Sequence, residues 1–164
     1  VSGQPDLMVP IGEELSRGVE FDVSGRILPY WSIMASYAFN VAEISKAPEG
    51  TKDLNLQRPG TPRHSANLWT KFIVPTGMLR HLGIGVGLNG VTERKGQVGR
   101  RENVVSYPGY ALLNLALYYK VREVQLQLNL NNALNKQYYI SGYDRLRSFP
   151  GAPRNINLTA TYRF

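Results

Sequence analysis

The stretch that decides the fold is VQLQLNLNNAL, at residues 124–134. From position 124 to position 131 every even residue is Val or Leu, and every odd residue is Gln or Asn. Successive side chains of a β-strand point to opposite faces of a sheet, so this alternation predicts a strand with one apolar and one amide-rich face. An amide-rich face favours the wet lumen of a membrane barrel over the dry interior of a soluble sandwich.

Six further stretches repeat the alternation, although Trp69 and Ile73 blur it in one of them. The predicted strands are residues 17–27, 30–44, 63–74, 82–92, 110–120, 124–134 and 154–164. Several reach the length of a tilted membrane strand, about 9–11 residues, whereas strands of soluble sheets average about 5–6. Aromatic residues gather near strand ends, as in the interfacial girdles of outer-membrane barrels. The predicted fold class is all-β: an antiparallel transmembrane β-barrel segment of about seven strands.

The connections between the predicted strands alternate in length. Short ones are expected near residues 28–29, 75–81 and 121–123, and long ones near residues 45–62, 93–109 and 141–153. Outer-membrane barrels have short periplasmic turns and long extracellular loops. If the last strand ends in the periplasm, the long connections and residues 1–16 lie outside the cell. An intact single-chain barrel would begin in the periplasm and have an even number of strands, so seven strands that begin outside predict a truncated chain.

Composition narrows the class of protein. The 164 residues carry a net charge of +7 and no Cys, which excludes disulfides and thiolate metal sites. No run approaches the about 20 consecutive apolar residues of a membrane helix. Cations in polar connections are usually solvated, with attraction to an anionic ligand or lipid phosphate as the alternative. Nucleic acid is not an expected partner, because no basic patch accompanies a reading element. The cations concerned are Lys46, Lys52, Arg58, Arg94, Lys95, Arg100, Arg101, Arg145 and Arg147.

No arrangement of residues predicts an enzyme. The glycine pattern G-x-G-x-x-G at residues 85–90 lies inside a predicted strand and no helix follows it, which favours a crowded lumen face or a bend over a nucleotide site. Glu20 and Asp22 share one strand face, where we expect lumen charges that face cations of other elements. His64 and His81 lie at opposite ends of one predicted strand, too far apart to share a metal ion.

Five segments resemble the barrel of TonB-dependent siderophore receptors, in the family's order. GEELSRGVEF at residues 12–21 resembles the family's G-E-x-x-S-R-G-V-E, and RPGTPRHSANLW at 58–69 resembles its P-x-H-x-x-x-L-W strand entry. YPGY at 107–110, NLNNALNKQYY at 129–139 and PGAPR at 150–154 resemble later signatures. The residues that carry the resemblance or close the barrel are Gly18, Glu20, Pro62, Trp69, Pro108, Gly109, Tyr110, Asn132, Tyr138, Tyr139, Pro153, Arg154 and Phe164.

The resemblance implies an architecture and a function. Such receptors are plugged barrels of about 22 strands in the bacterial outer membrane, and residues 1–164 would be the C-terminal part of the barrel without the N-terminal plug. They import ferric siderophores, here of the ferric hydroxamate (ferrichrome) type, with energy passed through TonB by way of the N-terminal region. Iron arrives already chelated, so neither a cofactor nor protein ligands to a metal are expected. Further expected partners are outer-membrane lipid, lipopolysaccharide and, for the closing strand that ends at Phe164, the barrel assembly machinery.

Three other functions stay open on the sequence. One is import of another TonB-dependent cargo, such as haem, cobalamin or a glycan. The second is a small structural barrel built from this chain, which the odd number of strands disfavours because it leaves an edge unpaired. The third is a soluble β-rich binding domain, which would be soluble without detergent and would have no apolar band.

Candidate ligand-binding residues lie in or beside the long connections. Aromatic rings cover apolar faces of a siderophore, and Arg donates paired hydrogen bonds to anionic groups. The alternative reading makes them interfacial Tyr and solvated Arg side chains. The candidates are Tyr139, Tyr143, Arg145, Arg147 and Phe149, together with Arg100 and Arg101.

Overall fold

The computed structural model describes residues 12–46, 55–96, 105–142 and 146–164. Its main body is one antiparallel sheet of seven strands that follow one another in chain order. These strands are β1 (Glu13–Leu28), β2 (Trp31–Lys46), β3 (His64–Ile73), β4 (Leu82–Val91), β7 (Tyr110–Val121), β8 (Val124–Asn131) and β11 (Asn155–Tyr162). The all-β, antiparallel prediction is confirmed, and each of the seven predicted strands has its counterpart in the sheet.

The sheet has two chemically distinct faces, because residues directly opposite each other in the ladder point to the same side. One row crosses all seven strands through Gly25, Ile33, Thr70, Val86, Leu115, Leu130 and Ile156. Neighbouring rows on this side carry large apolar side chains that stay exposed, such as Phe21 at 63% and Leu158 at 71%. A soluble monomer rarely exposes so continuous an apolar surface. We call this side the outer face and the opposite side the inner face.

Four short strands were not predicted. They pair in two small hairpins and are β5 (Arg94–Lys95), β6 (Ser106–Tyr107), β9 (Tyr139–Gly142) and β10 (Ser148–Pro150). Strands of two to four residues carry too few positions to show an alternation. The predicted strand at 124–134 also runs too far, since β8 ends at Asn131 and the next residue, Asn132, has a φ of 47°. That left-handed conformation stops a strand, and Asn adopts it more readily than most residues.

The connections alternate in length as predicted. Residues 29–30, 74–81 and 122–123 join strands at one end of the sheet. The other three connections, at 47–63, 92–109 and 132–154, are longer, and their described residues lie at the other end, which we call the loop end. In the described residues β1 and β11 form opposite edges of the main sheet and do not pair, so the barrel is not closed. Among the same residues, no helix has the length and apolar character needed to cross a membrane.

Candidate functional site

The inner face is crowded around Trp69, whose indole lies across two glycines of β4. A Cβ atom on Gly85 would lie 2.7 Å from the Trp69 ring, and one on Gly87 would overlap the ring. The prediction of a crowded lumen face for the glycine pattern at 85–90 is therefore confirmed. It also explains why Trp69 blurs the alternation, since a large ring fits the inner face only where its neighbours are glycine. An open groove of about 470 Å³ runs beside the ring and is lined in part by Asp22 and Ser36.

A chain of side-chain hydrogen bonds crosses the inner face from β2 to the end of β8. Asn67 donates to Ser36 Oγ at 3.2 Å, and Asn89 donates to Asn67 Oδ1 at 2.7 Å. Asn114 in turn donates to Asn89 Oδ1 at 2.6 Å and accepts from the backbone N–H of Asn132 at 2.9 Å. We call this chain the amide ladder. It joins four neighbouring strands, β2, β3, β4 and β7, to the turn after β8, and each of its three central amides both donates and accepts.

Asn132 carries the ladder into the loop end. Its side chain is 3% exposed and donates to the carbonyls of Lys136 at 2.9 Å and Ala152 at 3.1 Å, while its Oδ1 accepts from the Lys136 N–H at 2.8 Å. Buried amides are stable only when their donors and acceptors are paired, and this one is paired on both sides. Asn132 thus fixes the turn after β8 and ties it to the segment that leads into β11.

A cluster of aromatic rings fills the loop end above the sheet. Tyr107 is 3% exposed, its ring centroid lies 6.0 Å from that of Tyr139, and its hydroxyl lies 3.1 Å from Ser148 Oγ. Gly142 lies directly under the Tyr107 hydroxyl, where a Cβ would overlap that oxygen. The ring of Tyr107 therefore packs against one face of the β9–β10 hairpin and contacts both of its strands.

Arg94 lies beneath this cluster, and the expectation of a solvated loop cation is wrong for it. The side chain is 5% exposed. Its two terminal nitrogens donate to the carbonyls of Ile140 at 2.5 Å and Tyr139 at 2.7 Å, and its guanidinium lies 5.1 Å from the centroid of the Tyr110 ring. The Nε atom is buried without a hydrogen-bond partner. The sequence offered no signal for this burial, because residue 94 meets residues 139–140 only in the folded chain.

The expectation of solvated cations holds at two other positions. Lys46 pairs with Glu13 at 2.5 Å and Arg58 with Glu14 at 2.7 Å, and all four side chains are more than half exposed. At the start of the β5–β6 hairpin, the hydrogen bond and positive charge of Lys95 lower the pKa of Glu93 below its ordinary value, with a smaller contribution from Ser106. These exposed contacts give the loop end a paired, hydrated rim.

Three of the seven predicted ligand-binding residues lie in the described part of the chain. Tyr139 is 46% exposed and Phe149 is 50% exposed on the adjoining strands β9 and β10, and Arg147, just before β10, is exposed as well. The hairpin thus places these three residues at the loop end, exposed on or beside two paired strands. The other four candidates lie outside the described residues: Tyr143, Arg145, Arg100 and Arg101.

Three glycines of the predicted motifs mark places where a backbone or a ring comes close to the chain. A Cβ on Gly18 would overlap the carbonyl oxygen of Phe39 on β2, and one on Gly109 would lie 2.7 Å from the carbonyl oxygen of Val91. Gly151 lies under the ring of Tyr138. In each case only glycine permits the observed contact.

The other motif residues take up supporting positions along the sheet and its loops. The Tyr138 ring packs on Tyr110 with centroids 4.4 Å apart, the Arg154 N–H donates to the Asn135 side chain at 3.0 Å, and Phe164 contacts Tyr162 at the end of β11. Tyr139 and Asn132 belong to the loop-end contacts above, and Trp69 to the inner face. The remaining four are Glu20 on the inner face of β1, Pro62 before β3, Pro108 between β6 and β7, and Pro153 before β11.

Comparison with known proteins identifies this architecture. Residues 2–133 match the family described as TonB dependent receptor-like, beta-barrel. The chain is 27% identical to the metal-pseudopaline receptor CntO of Pseudomonas aeruginosa over 98% of its length, and 29% identical to the catecholate siderophore receptor Fiu of Escherichia coli K12 over 93%. These alignments cover 22% and 20% of the relatives, so the chain spans about a fifth of their length.

Solved structures show the same arrangement of strands. The siderophore receptor PiuA of Acinetobacter baumannii superposes with a TM-score of 0.78 at 27% identity, over 92% of this chain and 22% of that one. The closed form of Fiu gives 0.79 at 27% identity, over 93% of this chain and 21% of that one. The two-faced sheet, its glycine contacts and the match over residues 2–133 lead to one conclusion: the chain belongs to the TonB-dependent receptor-like β-barrel family.

Proposed function

We propose that this chain forms part of an outer-membrane receptor that imports ferric siderophores with energy supplied through TonB. Members of this family are outer-membrane β-barrels, so the chain lies in the bacterial outer membrane with its apolar outer face in lipid. The observation that carries the proposal is the loop end, where Tyr139 and Phe149 stand exposed above a polar inner wall. Aromatic surface beside a cation suits a chelate that combines apolar groups with anionic iron ligands.

The relatives support this class of cargo. CntO is named for metal-pseudopaline and Fiu for catecholate siderophores. The ferric hydroxamate subtype stays a prediction, and neither of these names supports it over a catecholate. Contact with the cargo also stays a prediction for five loop residues, because it rests on the chemistry of their side chains alone. These residues are Arg147, Tyr143, Arg145, Arg100 and Arg101.

The iron of the cargo is held by the siderophore in this proposal, and the protein supplies no ligand to it. The receptor's side chains would then recognise the organic shell and the net charge of the chelate. TonB would act through a region outside this chain, including a plug. Lipopolysaccharide would contact the outer face, and the barrel assembly machinery would read the strand that ends at Phe164.

The test is iron uptake by the receptor that carries this chain. It is expressed in an Escherichia coli strain without its own siderophore receptors and supplied with radioactive iron(III) complexed either by ferrichrome or by 2,3-dihydroxybenzoate. We expect uptake of at least one chelate, and no uptake of either in an otherwise identical strain without TonB.

Two results would contradict the proposal. Import of haem, cobalamin or a glycan with no uptake of either ferric chelate would assign the receptor to another cargo. Uptake that continues without TonB would remove the chain from energy-coupled transport and favour a passive or structural barrel.

A further inference from the structure

Arg94 is an unusual residue for a surface loop because it is a buried cation. Among the described residues no salt bridge joins it to a carboxylate, and its Nε has no hydrogen-bond partner. A buried, incompletely paired charge destabilises a fold unless its contacts compensate. A solvated Lys or Ser at this position would avoid that cost, so the arrangement calls for a role beyond stability.

The contacts of Arg94 converge on the segment that bears the candidate ligand-facing aromatics. Its planar fork holds two consecutive carbonyls, those of Tyr139 and Ile140, at 2.7 and 2.5 Å. Two adjacent carbonyls held by one rigid group fix the direction of the strand at that point. The face of the Tyr110 ring, 5.1 Å away, supplies a further favourable contact for the cation.

A continuous set of contacts leads from this fork to both exposed aromatics. The ring of Tyr139, whose carbonyl Arg94 binds, packs against Tyr107, and the Tyr107 hydroxyl lies 3.1 Å from Ser148 Oγ, one residue before Phe149. The β5–β6 hairpin therefore holds the β9–β10 hairpin through Arg94 on one side and Tyr107 on the other.

We propose that Arg94 is a positioning residue for cargo recognition: it locks the β9–β10 hairpin so that Tyr139 and Phe149 face the entrance in a fixed arrangement. This inference rests on the proposed function. The hairpin is already ordered before the cargo binds, so none of the binding free energy is lost in ordering it. Lys at this position keeps the charge but loses the fork, because one ammonium group cannot hold two adjacent carbonyls in the same planar geometry.

The experiment uses the receptor that carries this chain, with the variants Arg94→Met and Arg94→Lys and the control Arg63→Lys. Arg63 lies at the same end of the sheet, is more than half exposed and pairs with Glu43 at 3.7 Å. Hydrogen exchange is followed in peptides that cover residues 139–142 and 148–150, with β8 as the internal reference. Uptake of the two iron(III) chelates gives KM and the maximal rate. Heat-modifiable migration gives the number of folded receptors, by which the maximal rate is divided.

We expect Arg94→Met to accelerate exchange in both hairpin segments about ten-fold and to leave β8 unchanged, because only the local lock is lost. KM should rise about five-fold with an unchanged maximal rate per folded receptor, since disordered aromatics bind the cargo less well. Arg94→Lys should fall between wild type and Arg94→Met, and Arg63→Lys should match wild type. A variant that only impairs folding would instead lower the number of folded receptors and leave KM unchanged.

The inference is overturned if Arg94→Met leaves exchange in the hairpin unchanged, or if KM stays at its wild-type value while exchange accelerates. Should Arg94→Met fail to fold, Arg94→Lys decides by the same two measurements. A wild-type receptor that takes up neither chelate contradicts the proposed function. In that case exchange alone tests the lock, and acceleration in Arg94→Met supports it whereas no acceleration overturns it.

Discussion

The outer and inner faces of the sheet are built from the same strands but specified in different ways. On the outer face, rows such as Ile84, Leu117, Leu128 and Leu158 set apolar side chains opposite one another. Lipid tails adapt to any apolar shape, so this face needs only the right pattern. On the inner face several large or polar side chains have particular partners: Trp69 has its glycines, and each Asn of the amide ladder has the next.

The comparison teaches where the sequence tolerates change. The outer face keeps its apolar character when one apolar residue replaces another. On the inner face, a contact between two matched side chains is lost when either one changes size or hydrogen-bonding capacity. Substitutions of the same chemistry should therefore have opposite consequences on the two faces.

The largest effect is expected for a charge on the outer face. Leu128 lies in the middle of the outer side of β8, and Arg at such a position costs about 2–4 kcal/mol when it faces the bilayer midplane. The neighbouring residue Gln127 points to the inner face, where Arg stays hydrated and should cost less than about 1 kcal/mol. Chemical unfolding of the receptor in lipid vesicles, with Leu128→Arg and Gln127→Arg side by side, measures the difference.

Equal destabilisation by these two Arg variants would break the distinction between the faces. Leu128→Met is the control for shape, since it keeps the apolar character and nearly the volume of Leu and should stay close to wild type.

A somewhat smaller effect is expected for added bulk under Trp69. In Gly87→Val the new methyl groups would overlap the indole, so the ring must leave its place across β4, at a cost of about 1–3 kcal/mol. The matched control is Gly25→Val on the outer side of β1, where a Cβ meets nothing within 4 Å. Intrinsic Trp fluorescence should shift for Gly87→Val as the indole moves, and it should not shift for Gly25→Val.

An unchanged fluorescence and an unchanged unfolding midpoint in Gly87→Val would show that the indole has free space on the inner face. The inner face at Trp69 would then need no matched shape, and in this respect it would resemble the outer face.

A third effect, of about 1–3 kcal/mol, is expected from a break in the amide ladder, because Asn89→Ala removes two hydrogen bonds that each contribute about 0.5–1.5 kcal/mol. Asn89 donates to Asn67 at 2.7 Å and accepts from Asn114 at 2.6 Å. The control is Asn157→Ala on β11, whose side chain makes one long contact of 3.4 Å with Asn155. The measurement is the unfolding midpoint in denaturant, and an equal shift for both variants would contradict a role for the ladder.

The two faces also explain how much could be predicted from the sequence. The seven strands follow from the outer face, since alternation is a local property that residues 124–131 display without reference to the rest of the chain. The loop end does not follow in the same way. Arg94 is buried because it meets carbonyls 45 and 46 residues further along, and no local rule distinguishes it from the exposed Lys46.

Motif resemblance recovered part of what local patterns missed. It singled out Asn132, Gly109 and Tyr110, which lie at close contacts of the loop end or next to them. It gave no reason for Tyr107, although that residue opens the YPGY segment, because its burial depends on the β9–β10 hairpin that packs over it.

The smallest effect concerns the rim of the loop end, which belongs to neither face. Lys95 holds the pKa of the Glu93 carboxyl below its ordinary value of 4.5. A lowered folded-state pKa means that the contact stabilises the β5–β6 hairpin above the ordinary pKa, and that this contribution is lost as the pH falls through the folded-state value. The Glu93 side chain is more than half exposed, so we expect exchange in the hairpin to differ only about two-fold between wild type and Glu93→Gln at about pH 6. The ratio should move towards one as the pH falls below the ordinary value of 4.5 and through the folded-state pKa, because the carboxyl is then protonated in both states. The comparison of the two proteins at each pH removes the intrinsic pH dependence of exchange, and Glu123→Gln at the opposite end of the sheet is the control. A ratio that stays constant across this range would assign the hairpin's stability to its backbone pairing and to Arg94, with no part for the rim charges.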